Sequence, residues 1–405
     1  MLPSLSSKRN TCKVMKEGWV TKKLGEVGTF QRGGGFLKSD FIEGGYPCIH
    51  YGQIHTTFGV TTTKHLKTIP KELALSKSKI AHCGDIILAV TSEDVEGSCK
   101  CTAWMGDYDV AVGGHAAIFN HSLYPPFVSY YFRGKYFSRA KERYAHGIKV
   151  VEIKPSDIAS IDISFPSNKE QERIVTELDL LTSIIDKQKA QLNELDILAQ
   201  AIFYDMFGNP IENEKGWKLQ RLGDVCLIER GGSPRPIEQF ITEDKDGINW
   251  IKIGDATDGG MVINSTKQRI IPEGAKKSRY VQKGDFLLSN SMSFGKPYIL
   301  GVDGCIHDGW LVIRDTNHSF NKVYLYYYLG NPQTYEAFKS MAVGGVVSNL
   351  NKDMVKKVNV SIPPMNIQDL FAEKIAFIES QKESINRSIV ESQKLFDYTM
   401  DKYFS

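Results

Sequence analysis

A long stretch without proline or interior glycine constrains this chain more than any other feature. Residues 168–208 contain no proline, and their only glycine is the last residue. Apolar side chains recur there every three or four positions, which is the spacing of a coiled-coil seam; they are Leu178, Leu181, Ile185, Leu192, Leu195, Ala199 and Ile202. At 1.5 Å per residue such a helix would be roughly 60 Å long, which exceeds what one ordinary domain can enclose. The pattern therefore predicts a spacer helix.

One long segment of the sequence occurs twice, with an offset of about 200 residues between the copies. Each copy begins with a Gly-Trp pair, contains an Arg-Gly-Gly segment, and ends in a glutamine-led helical stretch. The matched segments are Gly18-Trp19 with Gly216-Trp217, Leu24-Gly25-Glu26-Val27 with Leu222-Gly223-Asp224-Val225, Arg32-Gly33-Gly34 with Arg230-Gly231-Gly232, Gly84-Asp85 with Gly284-Asp285, Ile163-Ser164-Phe165-Pro166 with Val360-Ser361-Ile362-Pro363, and Gln171 with Gln368. Each copy is therefore expected to form a globular part followed by a long helix.

The second copy also ends in an amphipathic stretch, residues 366–404, which needs a partner for its apolar face. The stretch at 168–208 is the obvious partner. We therefore predict an α+β fold with two pseudo-symmetric α/β globular domains, each followed by a long helix, and an antiparallel coiled coil between the two helices. The expected divisions are a disordered tail at 1–14 (ahead of a second plausible start at Met15), a first globular domain at 15–167, a central spacer helix at 168–208, a second globular domain at 209–365 and a C-terminal spacer helix at 366–405.

Within the globular domains, apolar and β-branched runs bounded by turn residues predict strands, and two aromatic-rich segments predict helices. The predicted strands are at 27–30, 86–90, 116–119 and 161–165 in the first domain, and at 248–253, 286–289, 310–313 and 358–362 in the second. The predicted helices are at 127–136 and 322–329. We expect the aromatic side chains of these helices in the core, because they lie in the amphipathic part of each helix.

Charge is distributed unevenly between the predicted helices and the globular domains. Residues 168–208 carry four basic and eight acidic side chains, residues 364–405 carry five and seven, and the whole chain has a formal net charge of +3. The globular parts are therefore basic, which favours contact with phosphate. The seven cysteines are odd in number and scattered, as in a protein of the reducing cytoplasm. No apolar run is long enough to span a bilayer, and we see no secretory signal.

No set of residues in the sequence resembles a complete catalytic site. Residues 124–127 (Tyr-Pro-Pro-Phe) share two prolines and an aromatic with amino-methyltransferases, but a tyrosine replaces the acceptor residue. Cys99-Lys100-Cys101, with Cys83 and His82, has C-x-C rather than C-x-x-C spacing, so we expect no structural zinc. Residues 152–154 (Glu-Ile-Lys) lack the Pro-Asp of a nuclease metal site, and there is no phosphate-binding loop. These observations favour a binding protein.

Polar loop residues recur after matching strands in both copies, and their chemistry suits a nucleic-acid surface. Arginine and lysine can bridge guanine O6 and N7, asparagine and glutamine can bridge adenine N6 and N7, and serine can hold phosphate. The candidates for DNA contact are Arg32, Lys38, His50, Gln53, Lys77, Lys79, Ser92 and Lys149 in the first copy, and Arg230, Arg235, Lys252, Lys277, Arg279, Ser289, Asn290 and Lys296 in the second. The residue types differ between the copies, as expected if one scaffold reads two different base sequences.

Over residues 15–405 the chain resembles the specificity subunit of a type I restriction–modification enzyme. The resemblance rests on features that occur in both copies. Each copy opens with a tryptophan that is followed by Leu-Gly-Glu-Val or Leu-Gly-Asp-Val, and each has a predicted strand that follows a Gly-Asp pair. Each copy ends in a Ser-x-Pro sequence, which is followed by a long helix with a glutamine in its first turn. The resemblance implies two target-recognition domains, each reading one half of a split site in double-stranded DNA. It also implies that the antiparallel helices fix the spacing between the two halves.

The resemblance further implies partners and cofactors. Two methyltransferase (modification) subunits would dock with the help of the long helices, and restriction–translocase subunits would add DNA cleavage, with no membrane involved. S-adenosylmethionine, ATP and Mg²⁺ would then belong to those partners, and this chain would hold no cofactor and no metal. The chain would be a non-catalytic DNA reader of the cytoplasm, acting in DNA methylation and phage defence.

Three alternatives stay open from the sequence. A fused restriction or methyltransferase enzyme would need a methyl-donor loop and an acceptor motif, and neither is found. A structural protein would use the long helices for oligomerisation and the globular parts for binding other proteins. An orphan or decoy subunit would bind DNA without any partner subunit.

Overall fold

The computed structural model describes residues 16–147, 150–256, 260–291, 295–342 and 350–405. The chain divides into two compact units, and each unit takes part of both long helices. Unit 1 comprises Met1–Gln188 with Ser388–Ser405, and unit 2 comprises Lys189–Arg387. The tail predicted at residues 1–14 lies outside the described residues. Among the described helices, none is long and apolar enough to cross a membrane.

Unit 1 is a mixed α/β unit with two main sheets. Its strands are β1 (Val20–Lys23), β2 (Gly28–Arg32), β3 (Tyr46–Ile49), β4 (Thr61–Thr62), β5 (Lys67–Ile69), β6 (Lys79–Ala81), β7 (Ile86–Ala89), β8 (Thr91–Ser92), β9 (Cys101–Trp104), β10 (Val110–Val112), β11 (Ala116–His121), β12 (Val151–Glu152) and β13 (Asp162–Phe165). Its helices are α1 (Leu24–Val27), a 3₁₀-helix (Lys38–Asp40), α2 (Tyr51–Thr56), α3 (Lys71–Lys77), α4 (Pro125–Arg133), α5 (Lys135–Glu142), α6 (Pro155–Ala159) and the start of α7 (Asn168–Phe207). The larger sheet has the order β2-β11-β7-β9-β4, and the smaller sheet has the order β5-β3-β10-β6.

Unit 2 repeats most of these elements in the same order. Its strands are β14 (Lys218–Arg221), β15 (Cys226–Arg230), β16 (Ile241–Thr242), β17 (Ile248–Ile251), β18 (Val262–Ile263), β19 (Gln268–Ile270), β20 (Arg279–Val281), β21 (Phe286–Ser289), β22 (Pro297–Leu300), β23 (Gly304–Ile306), β24 (Trp310–Asp315) and β25 (Asn359–Ile362). Its helices are α8 (Leu222–Val225), 3₁₀-helices at Ile237–Gln239 and Ile253–Asp255, α9 (Pro272–Ala275), α10 (Lys322–Leu329), α11 (Pro332–Ala342), α12 (Lys352–Lys357) and the start of α13 (Met365–Phe404).

The two units repeat one topology, which confirms the internal repeat predicted from the sequence. The order β2-β11-β7-β9-β4 of unit 1 recurs as β15-β24-β21-β22-β18, and the pair β1-β13 recurs as β14-β25. In the smaller sheets, β3 and β10 pair in parallel, as β17 and β23 do at the same place. Unit 2 adds β16 to this sheet, whereas unit 1 adds a two-stranded ladder of β8 with β12. One scaffold is therefore present twice, with local additions.

The central strand β7 is apolar at every position because both of its faces are buried. In β7, Ile86 and Leu88 join a core that includes α4 and segments of both long helices. The intervening Ile87 and Ala89 join a second core, which lies between the two sheets. Strand β21 repeats this division. Successive side chains of a strand point to opposite faces, so a strand covered on both sides shows no polar–apolar alternation.

The two long helices run antiparallel in unit 1. The Arg173 guanidinium donates to the Tyr403 hydroxyl at 2.9 Å. Farther along α7, the Gln188 amide donates to the Ser388 hydroxyl at 2.7 Å. Residue numbers therefore fall along α13 as they rise along α7, as the fold prediction requires.

The same antiparallel pairing is present in unit 2. The Lys382 ammonium lies 2.8 Å from the Asp196 carboxylate. The rings of Phe203 and Phe371 pack edge to face, with centroids 5.7 Å apart. Aromatic pairs in this geometry contribute beyond the area that they bury. The predicted pairing of the two long helices is therefore confirmed within each unit.

The apolar stripe of α7 is buried mainly where the helix meets the globular parts. Leu178 belongs to the core of unit 1, and Ala199 belongs to the core of unit 2. By contrast, Leu192, Leu195 and Ile202 of the predicted seam are only partly buried. Each end of the helix is therefore a core element, one in unit 1 and the other in unit 2.

A buried glutamine fastens the start of each long helix to its globular part. Gln171 Oε1 accepts from the Tyr124 amide at 3.0 Å, and its Nε2 donates to the Pro166 carbonyl at 2.8 Å. Gln368 makes the same two contacts in unit 2. Its Oε1 accepts from the Asn321 amide at the start of α10, and its Nε2 donates to the Pro363 carbonyl, each at 2.8 Å. Because both glutamines are buried, each amide replaces water as the partner of these main-chain groups.

The local predictions hold for most elements and fail where a close contact interrupts a helix. The helix predicted at 322–329 and the strand predicted at 286–289 have the observed bounds of α10 and β21. The helix predicted at 127–136 is instead two helices, α4 and α5, separated by Gly134. A Cβ on Gly134 would lie 2.5 Å from the Cβ of Phe404 in α13, so a larger residue does not fit between α4 and α5. The aromatic side chains Tyr130 and Tyr131 are buried, as predicted.

Candidate nucleic-acid interface

The Arg-Gly-Gly segment of unit 1 ends strand β2 and then runs along the smaller sheet. The Gly33 amide donates to the Ala116 carbonyl at 2.8 Å, and the Gly34 amide donates to the Val112 carbonyl at 3.0 Å. A Cβ on Gly33 would lie 2.3 Å from the Gly113 carbonyl oxygen. The first glycine is therefore required because two main-chain segments approach too closely for any side chain.

The segment of unit 2 makes the same main-chain contacts. The Gly231 amide donates to the Trp310 carbonyl at 2.9 Å, and the Gly232 amide donates to the Ile306 carbonyl at 3.1 Å. A Cβ on Gly231 would lie 2.1 Å from the His307 carbonyl oxygen. The repeated Arg-Gly-Gly sequence thus has a common structural cause in the two units.

The arginine of each segment donates through its Nε to the loop that precedes β11 in unit 1 or β24 in unit 2. Arg32 Nε donates to the Gly114 carbonyl at 3.0 Å, and Arg230 Nε donates to the Asp308 carbonyl at 2.9 Å. Gly114 and Asp308 therefore occupy equivalent positions. The Arg32 guanidinium also pairs with Glu152 of β12. The two arginine side chains remain 45% and 59% exposed, so part of each guanidinium faces solvent.

In each unit the end of a short helix and the residues after it lie against the Arg-Gly-Gly segment and carry further basic residues. A Cβ on Gly34 would meet the Lys77 carbonyl oxygen at 2.6 Å, so the Arg-Gly-Gly segment runs directly along the end of α3. In unit 2, Arg279 Nε donates to the Arg230 carbonyl at 2.7 Å. We name these sets the basic corner of each unit: Arg32, Lys77 and Lys79 in unit 1, and Arg230, Lys277 and Arg279 in unit 2.

A cleft of about 600 Å³ adjoins the basic corner of unit 2. Its lining includes Ser233, Arg235, Trp250, Lys252 and His307. The Arg235 side chain is 81% exposed at the mouth of this cleft. The Lys252 ammonium donates to a glutamine side-chain oxygen in the lining at 2.7 Å. The cleft thus brings two residues predicted from the sequence, Arg235 and Lys252, to one place.

His50 and Gln53 hold the start of α2. His50 Nδ1 accepts from the Gly52 amide at 3.2 Å, and Gln53 Oε1 accepts from the His50 amide at 2.8 Å. His50 is only 6% exposed. Its burial lowers the pKa of the imidazole to about 4, with further lowering by Lys38 and His115. Burial therefore argues against the DNA contact predicted for His50.

Ser289 and Asn290 lie at the end of β21 and support the neighbouring loops. They are 1% and 4% exposed. Ser289 Oγ accepts from the Lys296 amide at 2.9 Å, and Asn290 Nδ2 donates to the Asp308 carbonyl at 3.1 Å. Base recognition needs polar atoms at the surface, so burial argues against the base contacts predicted for both residues.

The remaining predicted residues are spread over the two units. Lys38 is exposed on the first 3₁₀-helix, and Lys296 is exposed just before β22. Ser92 is half-buried in β8, where it pairs with Val151 of β12. Lys149 lies outside the described residues.

The arrangement offers no cluster of metal-ligating side chains in the part of the chain that the structure describes. No group of three or more His, Cys, Asp or Glu side chains there is placed to hold a metal ion. Cys99 and Cys101 are buried, and burial raises the pKa of the Cys99 thiol to about 12. His82 lies 2.8 Å from Asp109. Residues 124–127 form the start of α4, with proline in its first turn.

Sequence reasoning missed Asp308. Four neighbouring groups converge on its carboxylate and its main-chain carbonyl; they come from Arg230, Ser233, Arg235 and Asn290. The repeat could have pointed to this residue. Alignment of the two copies places Asp308 in the loop that carries Gly114 in unit 1.

A duplicated α/β scaffold, with a basic corner on each copy and two paired long helices, defines a class of two-unit binding proteins. The family model described as Type I restriction modification DNA specificity domain matches residues 16–196 and 214–391. This chain belongs to that family, and the resemblance noted in the sequence is confirmed.

Curated relatives and a solved structure agree with this assignment. The chain is 20% identical over 421 residues to the type I restriction enzyme StySPI specificity subunit of Salmonella potsdam, across 96% of this chain and 89% of the relative. It is 20% identical over 429 residues to the EcoKI specificity subunit of Escherichia coli, with the same two shares. A chain solved in work on complex assembly of the type I R-M system has the same fold, with a TM-score of 0.66 and 19% identity, covering 96% of this chain and 98% of that one.

Proposed function

We propose that this chain is the DNA sequence-specificity subunit of a type I restriction–modification complex, in which each unit recognises one half of a split site in double-stranded DNA. The observation that carries the proposal is the repeated main-chain framework of the basic corner, which presents different side chains in the two units. Arg32 faces Gly114 where Arg230 faces Asp308. Two different half-sites require a common scaffold with different groups at the same place.

The basic side chains divide by chemistry into phosphate contacts and base contacts. Lysine is a compact point charge that suits phosphate, whereas the planar arginine fork suits the edge of guanine. We assign phosphate contacts to Lys38, Lys77, Lys79, Lys149, Lys277 and Lys296. We assign base-edge contacts to Arg32, Arg230, Arg235 and Arg279, a further phosphate contact to Lys252, and a surface contact in unit 1 to Ser92. Gln53 supports the start of α2, because its Nε2 is buried and its Oε1 accepts from the His50 amide. The buried residues His50, Ser289 and Asn290 support the loops instead.

The long helices provide a surface for partner subunits. Leu180 and Tyr398 are 62% and 68% exposed in unit 1, and Ile197 and Phe377 are 61% and 67% exposed in unit 2. Several large apolar side chains exposed on paired helices are typical of protein–protein contact. We assign this surface to two methyltransferase subunits, to which restriction–translocase subunits are added for DNA cleavage.

In this proposal the chain acts without catalysis and without a cofactor of its own. S-adenosylmethionine is bound by the methyltransferase subunits, and ATP and Mg²⁺ are used by the restriction–translocase subunits. The complex works in the cytoplasm. The fused-enzyme alternative differs in one measurable respect, because it requires methyl transfer by the isolated chain.

Mapping of methylated bases tests the proposal directly. The chain is coexpressed with the methyltransferase subunit of the same system, and methylated positions are read across a genome. We expect a two-part motif whose halves lie about one helical turn apart, so that both major grooves face the same side. A single continuous motif, or no methylation, would contradict the proposal. Methylation by the chain alone would support the enzyme alternative.

Insertion of one heptad in each long helix tests the spacing role separately. The insertions are placed beside Gln188 in α7 and beside Ile385 in α13. Seven residues lengthen a helix by about 10 Å, or about three base pairs of DNA. We expect a longer tolerated spacer with both half-sites unchanged. Altered half-site sequences would contradict a role of the helices as a ruler.

A further inference from the structure

We propose that Asp308 is a positioning residue that orients the arginines of unit 2 for reading its DNA half-site, an inference that rests on the proposed function. Asp308 is the middle residue of the loop between β23 and β24. Main-chain hydrogen bonds hold this loop on both sides. The His307 amide donates to the Ile251 carbonyl at 3.3 Å, and the Asn290 amide donates to the Gly309 carbonyl at 2.9 Å. The position of Asp308 is therefore set by the scaffold.

The main-chain carbonyl of Asp308 fixes one edge of Arg230. It accepts from Arg230 Nε at 2.9 Å and from Asn290 Nδ2 at 3.1 Å. The Arg230 carbonyl in turn accepts from Arg279 Nε at 2.7 Å. An arginine that donates through Nε keeps its two terminal nitrogens for another partner. Both arginines of the basic corner are therefore held by their inner nitrogens; the end of Arg230 is largely exposed, whereas Arg279 Nη1 lies 2.8 Å from the Glu229 carboxylate.

The carboxylate of Asp308 faces the ends of two arginines. Its Oδ2 lies 3.5 Å from Arg235 Nη2 and 4.0 Å from Arg230 Nη2. Its Oδ1 accepts from Ser233 Oγ at 2.7 Å, which fixes the carboxylate itself. This hydrogen bond holds the pKa of Asp308 below its usual value, so the group is charged at neutral pH. One fixed negative charge thus lies among basic groups that the proposed function assigns to DNA.

Arg235 depends on such a partner because its side chain is 81% exposed. A solvent-exposed arginine samples many rotamers, whereas bidentate contact with guanine requires one orientation of the guanidinium plane. An exposed ion pair biases a rotamer population by up to about fivefold. Asp308 therefore acts on recognition through Arg235, by raising the fraction of molecules in which that side chain is already oriented.

Unit 1 uses a different partner at the equivalent place. Gly114 stands where unit 2 has Asp308, and the Arg32 guanidinium pairs with Glu152 of β12 instead. A Cβ on Gly114 would meet nothing nearer than the Gly34 Cα at 3.9 Å. A residue with a Cβ therefore fits this loop in either unit. The position can vary without disturbing the scaffold, as a specificity-determining position must.

Asp308→Asn tests the inference in the assembled methyltransferase complex. The substitution keeps the main-chain contacts and an oxygen acceptor for Ser233, but it removes the charge that faces Arg235. Base preferences are measured from methylated positions on a randomised DNA library. We expect a loss of discrimination of up to about fivefold at one base pair of the unit 2 half-site, which is the size of the rotamer bias that is removed. The other half-site and the unfolding temperature should stay unchanged.

Two matched variants sharpen this experiment. Asp303→Asn removes the same charge at the opposite end of β23, where Asp303 accepts from the Lys283 amide at 2.6 Å, and it should leave both half-sites unchanged. Gly114→Asp places a carboxylate in the equivalent loop of unit 1. We expect it to alter only the unit 1 half-site.

The outcomes separate the inference from the proposed function. An unchanged motif with Asp308→Asn overturns the positioning role, and a change of the unit 2 half-site by Arg235→Ala then shows that the proposed function stands. A lowered unfolding temperature with equal weakening on all sequences identifies Asp308 as a structural residue and also overturns the inference. Absence of any two-part motif with the unaltered chain overturns the proposed function itself.

Discussion

The two units share their main-chain contacts and differ in the side chains around the basic corner. Gly33 and Gly231 allow the same close approach of two main-chain segments. Around this common feature, unit 1 places Glu152 beside its arginine, whereas unit 2 places Asp308 there. The comparison separates residues that close the scaffold from residues that the scaffold presents. Substitutions at matched positions are therefore informative, because each unit serves as the control for the other.

Alanine in place of the first glycine of the Arg-Gly-Gly segment should have the largest effect. In unit 2 the Cβ of Gly231→Ala would lie 2.1 Å from the His307 carbonyl oxygen, and in unit 1 that of Gly33→Ala would lie 2.3 Å from the Gly113 carbonyl oxygen. Main-chain atoms cannot move aside alone, so we expect each variant to lose about 3 kcal/mol of unfolding free energy. Urea denaturation, followed by a fluorescent label in each unit, measures the loss.

The second glycine of the segment should distinguish the units. A Cβ on Gly34 would lie 2.6 Å from the Lys77 carbonyl oxygen, whereas a Cβ on Gly232 would lie 3.4 Å from the Lys277 carbonyl oxygen. Gly34→Ala should therefore destabilise unit 1, and Gly232→Ala should change the stability of unit 2 by no more than about 0.5 kcal/mol. Equal losses of unfolding free energy in the same urea titrations would show that the second glycine is packed equally tightly in the two units.

Leucine in place of the buried glutamines should come next. Gln368→Leu leaves the Asn321 amide and the Ser319 carbonyl without their partner, so we expect a loss of about 2 kcal/mol in unit 2. Gln171→Leu should cost less, because Gln171 donates to one main-chain carbonyl, that of Pro166, and Gln368 donates to two. Hydrogen exchange in the first turns of α7 and α13 reports the loss. Unchanged protection in both helices would show that these glutamines do not fasten the helix starts to the globular parts.

Acid should destabilise unit 1 more than unit 2. Burial lowers the pKa of both His50 and His121 to about 4, and in unit 2 burial lowers the pKa of His307. Such a histidine binds a proton only in the unfolded chain between about pH 6.5 and pH 4. Its stabilisation is present above pH 6.5 and is lost as the pH falls through that window, by about 1.4 kcal/mol per pH unit for each histidine.

Urea titrations of the labelled units between pH 7 and pH 5 measure this difference. The variants His50→Asn and His121→Asn should reduce the slope in unit 1 and leave unit 2 unchanged. Asparagine is a good N-cap residue, so His50→Asn keeps the start of α2. Equal slopes in the two units would contradict the assignment of these histidines.

Alanine in place of the corner lysines should have the smallest effect. Lys77→Ala and Lys277→Ala should each weaken binding to all DNA sequences by a similar factor, and should reduce the slope of log affinity against log salt by about 0.9. Fluorescence anisotropy of the methyltransferase complex at several salt concentrations measures both quantities. A change of base preference in one half-site would show that the lysine contacts a base rather than a phosphate.

The sequence alone determined the duplicated architecture. The repeat, the Arg-Gly-Gly segments and the long amphipathic stretches are local or periodic features, and α7, α10 and β21 follow the predicted bounds within a residue. The apolar runs 86–89 of β7 and 286–288 of β21 also indicated buried strands, because their side chains face two cores. The fold class and the family therefore follow from patterns along the chain.

Only the tertiary structure decided which polar side chains reach the surface. His50 and Asn290 carry polar groups in predicted loops, yet both are buried and hold the main chain. Arg230 and Asp308 are 78 residues apart and meet only because β15 and β24 are neighbours in one sheet. Exposure and side-chain partners depend on contacts between distant segments, and periodicity along the chain carries no information about such contacts.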